Sequence, residues 1–424
     1  MYFCEGELSR IYSIIEQRQW RTRPSQMLKE ERKEVLKLRK LASIQKVLSV
    51  TPIEGADRIE MVRVLGWQCV ANKGQFKEGD LCVYFEIDSF LPIRPEFEFL
   101  RKSSYKSNEI LGEGFRLKTM KFKGQISQGL ILPLSEVGIT IAENGDRYHD
   151  ARDYIFTASD GTVYEMIDVI KPHAFNNLTL EGTDVTELLG VREWEIPERA
   201  STGGTIKGNL PYCIHKTDET RIQSMPELLA EFKGLPYYIT TKYDGSSHSI
   251  AIDEQDVFHV TGHNYEYKDD GTSVFYEFVK KRNFEEKLRD YKAEHGLDSI
   301  SVQGEFCGNG IQKNRLKLVK PDWFVFTVEE NGKRVGWDEI CNVANECGMS
   351  RVDCQETGSD LTLQYPTVEA LIKRAEECGR YTNAYGGGQP EGIVIRPITP
   401  VFSKTLSANL SMKVINNKYL LKGD

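Results

Sequence analysis

A lysine at the end of an apolar, β-rich run is the first residue in this chain able to act as a nucleophile. In YYITTKYDGSSHSI, Tyr237 to Ile250, Lys242 is followed by Asp244-Gly245-Ser246-Ser247, a combination that forces a tight turn. A lysine attacks only as the free amine, so its ordinary pKa of about 10.4 has to be lowered by neighbouring cations, a metal or desolvation. Taken alone, the segment reads as a surface lysine before an Asp-Gly turn. Its company changes that reading. Glu305, in VQGEFCGNGIQKN, lies in a strand running into a Gly-rich loop, where its carboxylate could accept bonds from ribose hydroxyls. Phe324 and Phe326, in DWFVFTV, share one face by the strand period of two and are able to stack on a purine. Glu391 leads the β-branched strand of GGGQPEGIVIRP and is a natural metal ligand, and Lys413 in SMKVINNKYL offers a charge for an α-phosphate. Nucleophile, ribose acceptor, stacking ring, metal carboxylate and phosphate cation together suit covalent nucleotidyl transfer.

The elements that position these residues fall into two folded regions. From about Leu41 to Val137 the chain is a series of short β-rich runs (LASIQKVLSV, IEMVRVLG, WQCVANKG, DLCVYFEID, GLILPL) separated by Gly and Asp, which suggests a small barrel. Within it Arg101, Lys102, Lys106, Arg116, Lys118, Lys121 and Lys123 outnumber Glu109 and Glu113, with Phe115 and Phe122 interleaved. That mixture suits either a phosphate-tracking surface or an ordinary barrel rim. Residues 141–182 read as an inserted hairpin or flap, within a domain spanning 41–197. Residues 198–209, ERASTGGTIKGN, read as a linker. Residues 210–424 alternate strands with helices, one of which carries Val368, Leu371, Ile372, Ala375 and Cys378 on one face as core packing. Residues 1–40 form an extension in which SQMLKEERKEVLKLRKL reads as a solvated helix.

Composition narrows the class. With 424 residues, 40% hydrophobic, 28% charged and a mean hydropathy of −0.44, the chain has the texture of a soluble multidomain protein. No apolar run approaches the roughly 20 residues of a membrane span. Glu5, Glu7 and Arg10 interrupt what a signal peptide would keep apolar, so an intracellular, non-secreted protein is expected. Nine scattered cysteines without a C-x-x-C pair read as reduced thiols. A net charge of −8 confines any nucleic-acid surface to a local patch. GQFKEGD carries Asp80 where a Walker loop needs Lys, and neither H-E-x-x-H nor any other histidine ligand spacing occurs, so no zinc site is expected.

The ordered set KYDG, GEF, FVF, EGIVIR and MKVIN resembles motifs I, III, IIIa, IV and V of the covalent lysine nucleotidyltransferases, the superfamily of ATP-dependent DNA ligases, RNA ligases and mRNA capping enzymes. The likeness runs from about Lys216 to the C-terminus. DNA ligases and capping enzymes carry an OB domain after motif V, whereas here only Val414 to Asp424 follow Lys413 and the small barrel comes first. That order, with PIEGADRIEMVRVLGW, GDLCVYFEIDSFLP and KTDETRIQ, resembles the RNA ligase clade with an N-terminal OB domain. The fold implied is α+β: an OB-like β-barrel followed by a mixed α+β nucleotidyltransferase domain of the ATP-grasp-like ligase type.

The resemblance implies an ATP-dependent RNA ligase that seals 3′-OH and 5′-phosphate RNA ends, in a nicked duplex or at broken ends, with Mg²⁺ or Mn²⁺. Lys242 would form lysyl-AMP, helped by Lys413, which contacts the α-phosphate and depresses the nucleophile's pKa. Glu305 would hold ribose, Phe326 would cover adenine, and backbone groups around Thr241 would read the base edge. Asp244 and Gly245 belong to the same nucleotide-binding set through the KYDG motif. Glu391 would hold the metal, and Arg221 and Lys216 would lie near the leaving phosphates. The sequence departs from the superfamily at Ile415, which replaces a second motif V lysine and shifts attention to Lys404 or Lys418, at His263 in place of an arginine, and at Thr327 in place of an aspartate. A related nucleotidyltransferase acting on DNA nicks or caps, and a catalytically silent RNA-binding protein, stay open as alternatives.

Overall fold

The computed structural model describes residues 39–141, 154–159, 161–169, 179–194, 204–378 and 388–421. The expected helix in residues 25–41 falls almost wholly outside them, as do residues 198–203.

The N-terminal barrel is built on an antiparallel sheet in the order Leu130–Pro133, Leu81–Phe85, Ala42–Pro52, Ile59–Val64, Trp67–Asn72. Ala42–Pro52 is long enough to serve both halves because it bends at a register slip between Val47 and Ser49. The two edges are drawn together where Gln128 N donates to Gln68 O at 2.8 Å. Leu81–Phe85 is buried throughout, which explains its unbroken apolar sequence. Cys82 and Tyr84 face one core with Val62, Trp67 and Ile131. Leu81, Val83 and Phe85 face a second with Phe97, Phe115, Tyr154, Phe156 and Leu189. The described parts of residues 141–182 contribute to that second core: Ile139–Ile141, Tyr154–Thr157 and Val163–Glu165 make a three-stranded sheet that packs Tyr154 and Phe156 inward.

The C-terminal region has two sheets. The larger runs Ile206–Asn209, Tyr265–Tyr267, Phe258–Thr261, Ser246–Ile252, Ile300–Cys307, Asp322–Glu330, Lys333–Arg334, with Ser350–Arg351 parallel to Asp322–Glu330. The smaller runs Thr220–Arg221, Met412–Ile415, Gly392–Pro397, Tyr237–Lys242, Cys354–Gly358. Helices Val274–Lys281, Phe284–Glu294 and Trp337–Glu346 cover the larger sheet with Phe275, Leu288 and Ile340. Ser273 starts the first of them by accepting from Tyr276 N at 3.2 Å. Helix Val368–Glu376 covers the smaller sheet through Val368, Leu371 and Ala375, with Ile372 partly buried, and Thr367 caps it. The functional consequence lies in one connection: Tyr237–Lys242 belongs to the smaller sheet and Ser246–Ile252 to the larger, so the turn Tyr243-Asp244-Gly245 crosses the cleft between them.

The two regions touch closely. Gly66 N donates to Gln223 O at 2.8 Å, and a Cβ on Gly66 would come within 2.7 Å of Gln223 Cα, so only glycine permits the approach. Trp67 Nε1 donates to Ser224 Oγ at 3.2 Å and Gln128 Nε2 to Asn417 Oδ1 at 2.9 Å.

Candidate active site

Strand register assembles the site. Lys242 lies opposite Gly392, which places the preceding Glu391 against it, and Lys242 Nζ meets Glu391 Oε2 at 2.5 Å. Gly392 in turn lies opposite Ile415, two residues beyond Lys413, and Asn416 N donates to Glu391 O at 2.9 Å. Lys413 stands parallel to Arg221. From the larger sheet, Ser247 lies opposite Glu305, whose Oε1 accepts from Gly245 N at 2.8 Å. That bond closes the turn that follows Lys242. A Cβ on Gly245 would lie 2.5 Å from Phe306 O and 2.6 Å from Cys307 Sγ, so the turn approaches the neighbouring strand as only glycine can.

Three carboxylates, Glu391, Glu305 and Asp244, and four cations, Lys242, Lys413, Arg221 and Arg315, crowd this cleft. Burial pushes the Lys242 amine down, but Glu391, Glu305 and Asp244 outweigh it and hold the amine above its ordinary range. Burial drives Lys413 down to about 8, reinforced by the adjacent charges of Arg221 and Lys242. Burial lifts Glu305 to about 7; Lys242 opposes that rise and Glu391 adds to it. The expected depression of the nucleophile is therefore reversed here: Lys413 is the lysine with the lowered pKa. The reason is geometric, since Glu391 is in direct contact with Lys242 and stabilises its proton.

Other expected residues are placed as follows. Thr241 is buried beside Lys242, but its N–H is committed to Asp353 O at 2.9 Å and its Oγ1 accepts from Gln355 Nε2 at 2.7 Å. Phe324 is buried against Tyr243, whereas Phe326 is partly exposed. The strand register slips beside Phe326, with Gln303 opposite Thr327 and Gly304 opposite Val325, so a bulge interrupts the simple alternation that would equate the two rings. Asp244 is tied to Arg315 Nε at 2.5 Å. Ile415 is buried, which explains an apolar residue in place of a second lysine. Lys404 neighbours Glu231. Lys216 bonds Asn264 Oδ1 at 2.6 Å, beside His263, rather than either member of the Lys242–Glu391 pair.

Three residues of the site carried no assignment from sequence. Arg315 pairs with Asp244 and lies over the Tyr419 ring at 4.4 Å. Its signal was its place in the Gly-rich loop after Glu305. Glu219 and Arg396 form a buried pair, Nε and Nη2 of Arg396 donating to Glu219 Oε1 at 3.1 and 2.5 Å. Arg396 Nη1 also donates to Phe326 O at 2.5 Å, so it ties the smaller sheet to the strand carrying the candidate stacking ring. An arginine ending the apolar run IVIR was the available clue. The basic stretch of the barrel is dispersed: Phe115 is fully buried and Arg116 nearly so, while Met120–Phe122 and Gln125–Ser127 form a hairpin that exposes Phe122 between Lys121 and Lys123.

A lysine in contact with a carboxylate, a buried glutamate on the facing sheet and a Lys-Arg pair side by side on adjacent strands make one polar cleft between the two sheets. Residues 41–134 match an OB-fold domain family and residues 235–415 match the RNA ligase family. The chain therefore carries an RNA ligase family domain behind an OB-fold domain. Among solved structures it is similar to a Naegleria gruberi RNA ligase mutant with ATP and Mn, at 28% identity and a TM-score of 0.70 over 90% of this chain and 98% of that one. It is also similar to a mutant of that ligase with AMP and Mn, at 29% identity and a TM-score of 0.71, with the same coverage. The form with PPi gives 28% and 0.70 over 91% of this chain and 99% of that one. No curated protein sequence matches.

Proposed function

We propose that this RNA ligase uses ATP to seal 3′-OH and 5′-phosphate RNA ends in a nicked duplex, through lysyl-AMP on Lys242. Lys242 Nζ, after losing its proton, attacks the α-phosphorus of ATP; a P–N bond forms and pyrophosphate leaves. An oxygen of the RNA 5′-phosphate then attacks the same phosphorus, breaking the P–N bond and returning the electron pair to Lys242. Finally the 3′-oxygen attacks the 5′-phosphorus, loses its proton, and AMP leaves. Glu305 accepts from the ribose hydroxyls, Phe326 covers the adenine, Asp244 and Gly245 frame the nucleotide, and Lys413 and Arg221 neutralise phosphate charge. Lys216 belongs to the outer rim on the leaving-phosphate side. The exposed Phe122, with Lys121 and Lys123, fits contact with the RNA strand.

A divalent ion fits Glu391. Among the described residues no group of three or more His, Cys, Asp or Glu forms a metal cage. A single hard carboxylate facing a phosphate site matches Mg²⁺ or Mn²⁺ held partly by water and substrate phosphates. When bound there, such an ion supplies charge neutralisation and oxygen alignment, and it competes with Lys242 for the Glu391 carboxylate. The neighbouring structures with ATP or AMP and Mn support this reading.

The observation that carries the proposal is the 2.5 Å contact of Lys242 with Glu391, in one cleft with Glu305 and Lys413. The test is incubation with α-labelled ATP and Mg²⁺ or Mn²⁺, followed by a nicked RNA duplex. Label should enter the protein, be absent from Lys242→Ala, and chase to sealed RNA. Labelling by GTP alone, or an unlabelled wild-type protein, overturns it.

A further inference from the structure

The catalytic cations include one held in place from the other domain. Asp88 belongs to the OB-fold domain, in the connection between Leu81–Phe85 and Ser89–Leu91. Its backbone is in the left-handed region, with φ at +69°. That conformation is fixed on both sides, since Asp88 N donates to Leu117 O at 2.9 Å and Asp88 O accepts from Trp194 N at 2.8 Å. The carboxylate is thereby aimed. Its Oδ1 accepts from Arg116 Nη2 at 3.4 Å, and Arg116 itself lies over the Trp194 ring at 5.1 Å. Its Oδ2 accepts from Arg221 Nη2 at 3.1 Å, across the domain boundary.

Arg221 stands abreast of Lys413 in the parallel pairing of Thr220–Arg221 with Met412–Ile415. Two like charges side by side repel, and Arg221 is the largest source of that repulsion on Lys413 after burial itself. A long arginine side chain in that position would swing away unless a counter-charge held it. Asp88 is that counter-charge, and it engages one terminal nitrogen only. The other, Nη1, is buried and has no hydrogen-bond partner among the described residues. A guanidinium fixed through one arm, with a buried donor left over beside an ammonium, is arranged to complete its bonding with an anion.

We propose that Asp88 is a positioning residue that holds Arg221 beside Lys413 for a phosphate group of the nucleotide, so that lysyl-AMP formation depends on the seating of the OB-fold domain against the ligase domain. This rests on the functional reading above. Asp88 touches no reacting atom and acts through Arg221.

The experiment is a double-mutant cycle with Asp88→Asn and Arg221→Met in the full chain, read by single-turnover labelling with α-labelled ATP and by the rise in unfolding temperature on adding pyrophosphate. Asparagine tolerates the left-handed backbone and keeps the size, so the substitution removes the charge. Asp88→Asn is expected to slow labelling about tenfold or more at saturating ATP, and to add less than about twofold in the Arg221→Met background. Both single variants should lose the pyrophosphate-induced rise, and Asp88→Glu should recover part of the labelling rate. Wild-type labelling rates for Asp88→Asn, or multiplicative effects in the double variant, overturn the proposal. If Asp88→Asn unfolds, Asp88→Gly, which also accepts the left-handed backbone and lacks the carboxylate, does the same by showing a wild-type labelling rate and pyrophosphate response. A wild-type protein that stabilises with pyrophosphate but takes no label would instead count against the ligase reading, leaving the Asp88 dependence to be read from the temperature shifts.

Discussion

Lys242 and Glu391 are 149 residues apart in sequence and 2.5 Å apart in space. Neighbouring strands in register bring them together, and the contact sets the resting charge of the proposed nucleophile: the carboxylate keeps the proton on the amine. The proposed adenylylation of Lys242 therefore requires that the pair be broken.

Glu391→Gln removes the charge but keeps the shape. The Lys242 pKa should fall, since burial then acts with less opposition, and modification of Lys242 by an amine reagent should begin at lower pH than in wild type. Metal-dependent labelling should nevertheless drop by about 10–100-fold, the range for loss of a metal-site carboxylate partner. An unchanged modification profile would contradict the assigned pair.

Lys413, pushed down to about 8, loses its charge as pH rises through that value. The KM for ATP should accordingly rise above about pH 8 in the wild type. In Lys413→Arg the cation persists, and the KM should stay level over the same range. Steady-state labelling kinetics between about pH 7 and 9.5 decide the matter.

Glu305 titrates near 7 in the folded protein against an ordinary 4.5. A carboxyl with a raised folded pKa holds its proton where the unfolded chain has lost it, so its contribution to stability falls as pH climbs from 4.5 to 7. Glu305→Gln still accepts from Gly245 N and carries no charge. Its unfolding temperature should exceed that of wild type at about pH 8, and the gap should narrow toward about pH 5 while labelling is lost. A gap independent of pH would exclude this account.

Gly245→Ala should be more damaging than its size suggests. The added methyl meets Phe306 O at 2.5 Å and Cys307 Sγ at 2.6 Å, so the turn carrying Lys242 has to move. A displacement of about 1 Å at a reacting group costs on the order of 100-fold. Labelling should fall by that order, whereas Gly208→Ala, in open space and without a left-handed backbone, should leave it within about twofold.

The hairpin lysines make a separate prediction about RNA. Lys121→Ala with Lys123→Ala should reduce the salt dependence of RNA binding by about one unit of slope for each phosphate that is no longer neutralised. Phe122→Ala should weaken binding with little change in that slope. Lysyl-AMP formation should be unaffected by all three, because none of them bonds to Lys242, Glu305, Glu391 or Lys413; filter binding across a salt series checks the first two.

The sequence by itself singled out the candidate set that the fold brings into one cleft. Lys242, Glu305, Glu391 and Lys413 were legible because each sits in or beside a strand with its own sequence signature, and their order along the chain matched one superfamily. The barrel strands and the Val368–Glu376 helix were legible because local periodicity reports which face is buried. What the tertiary structure decided was everything set by distance between remote segments. Whether Lys242 rests charged depends on Glu391 across a strand pairing. Phe326 is distinguished from Phe324 by a bulge that only pairing with Ile300–Cys307 creates. Arg221 is held by Asp88, a residue of another domain whose left-handed backbone no local pattern announced. Side-chain type and spacing are local properties, whereas protonation and orientation follow from burial and from the nearest opposite charge, and those are supplied by the fold.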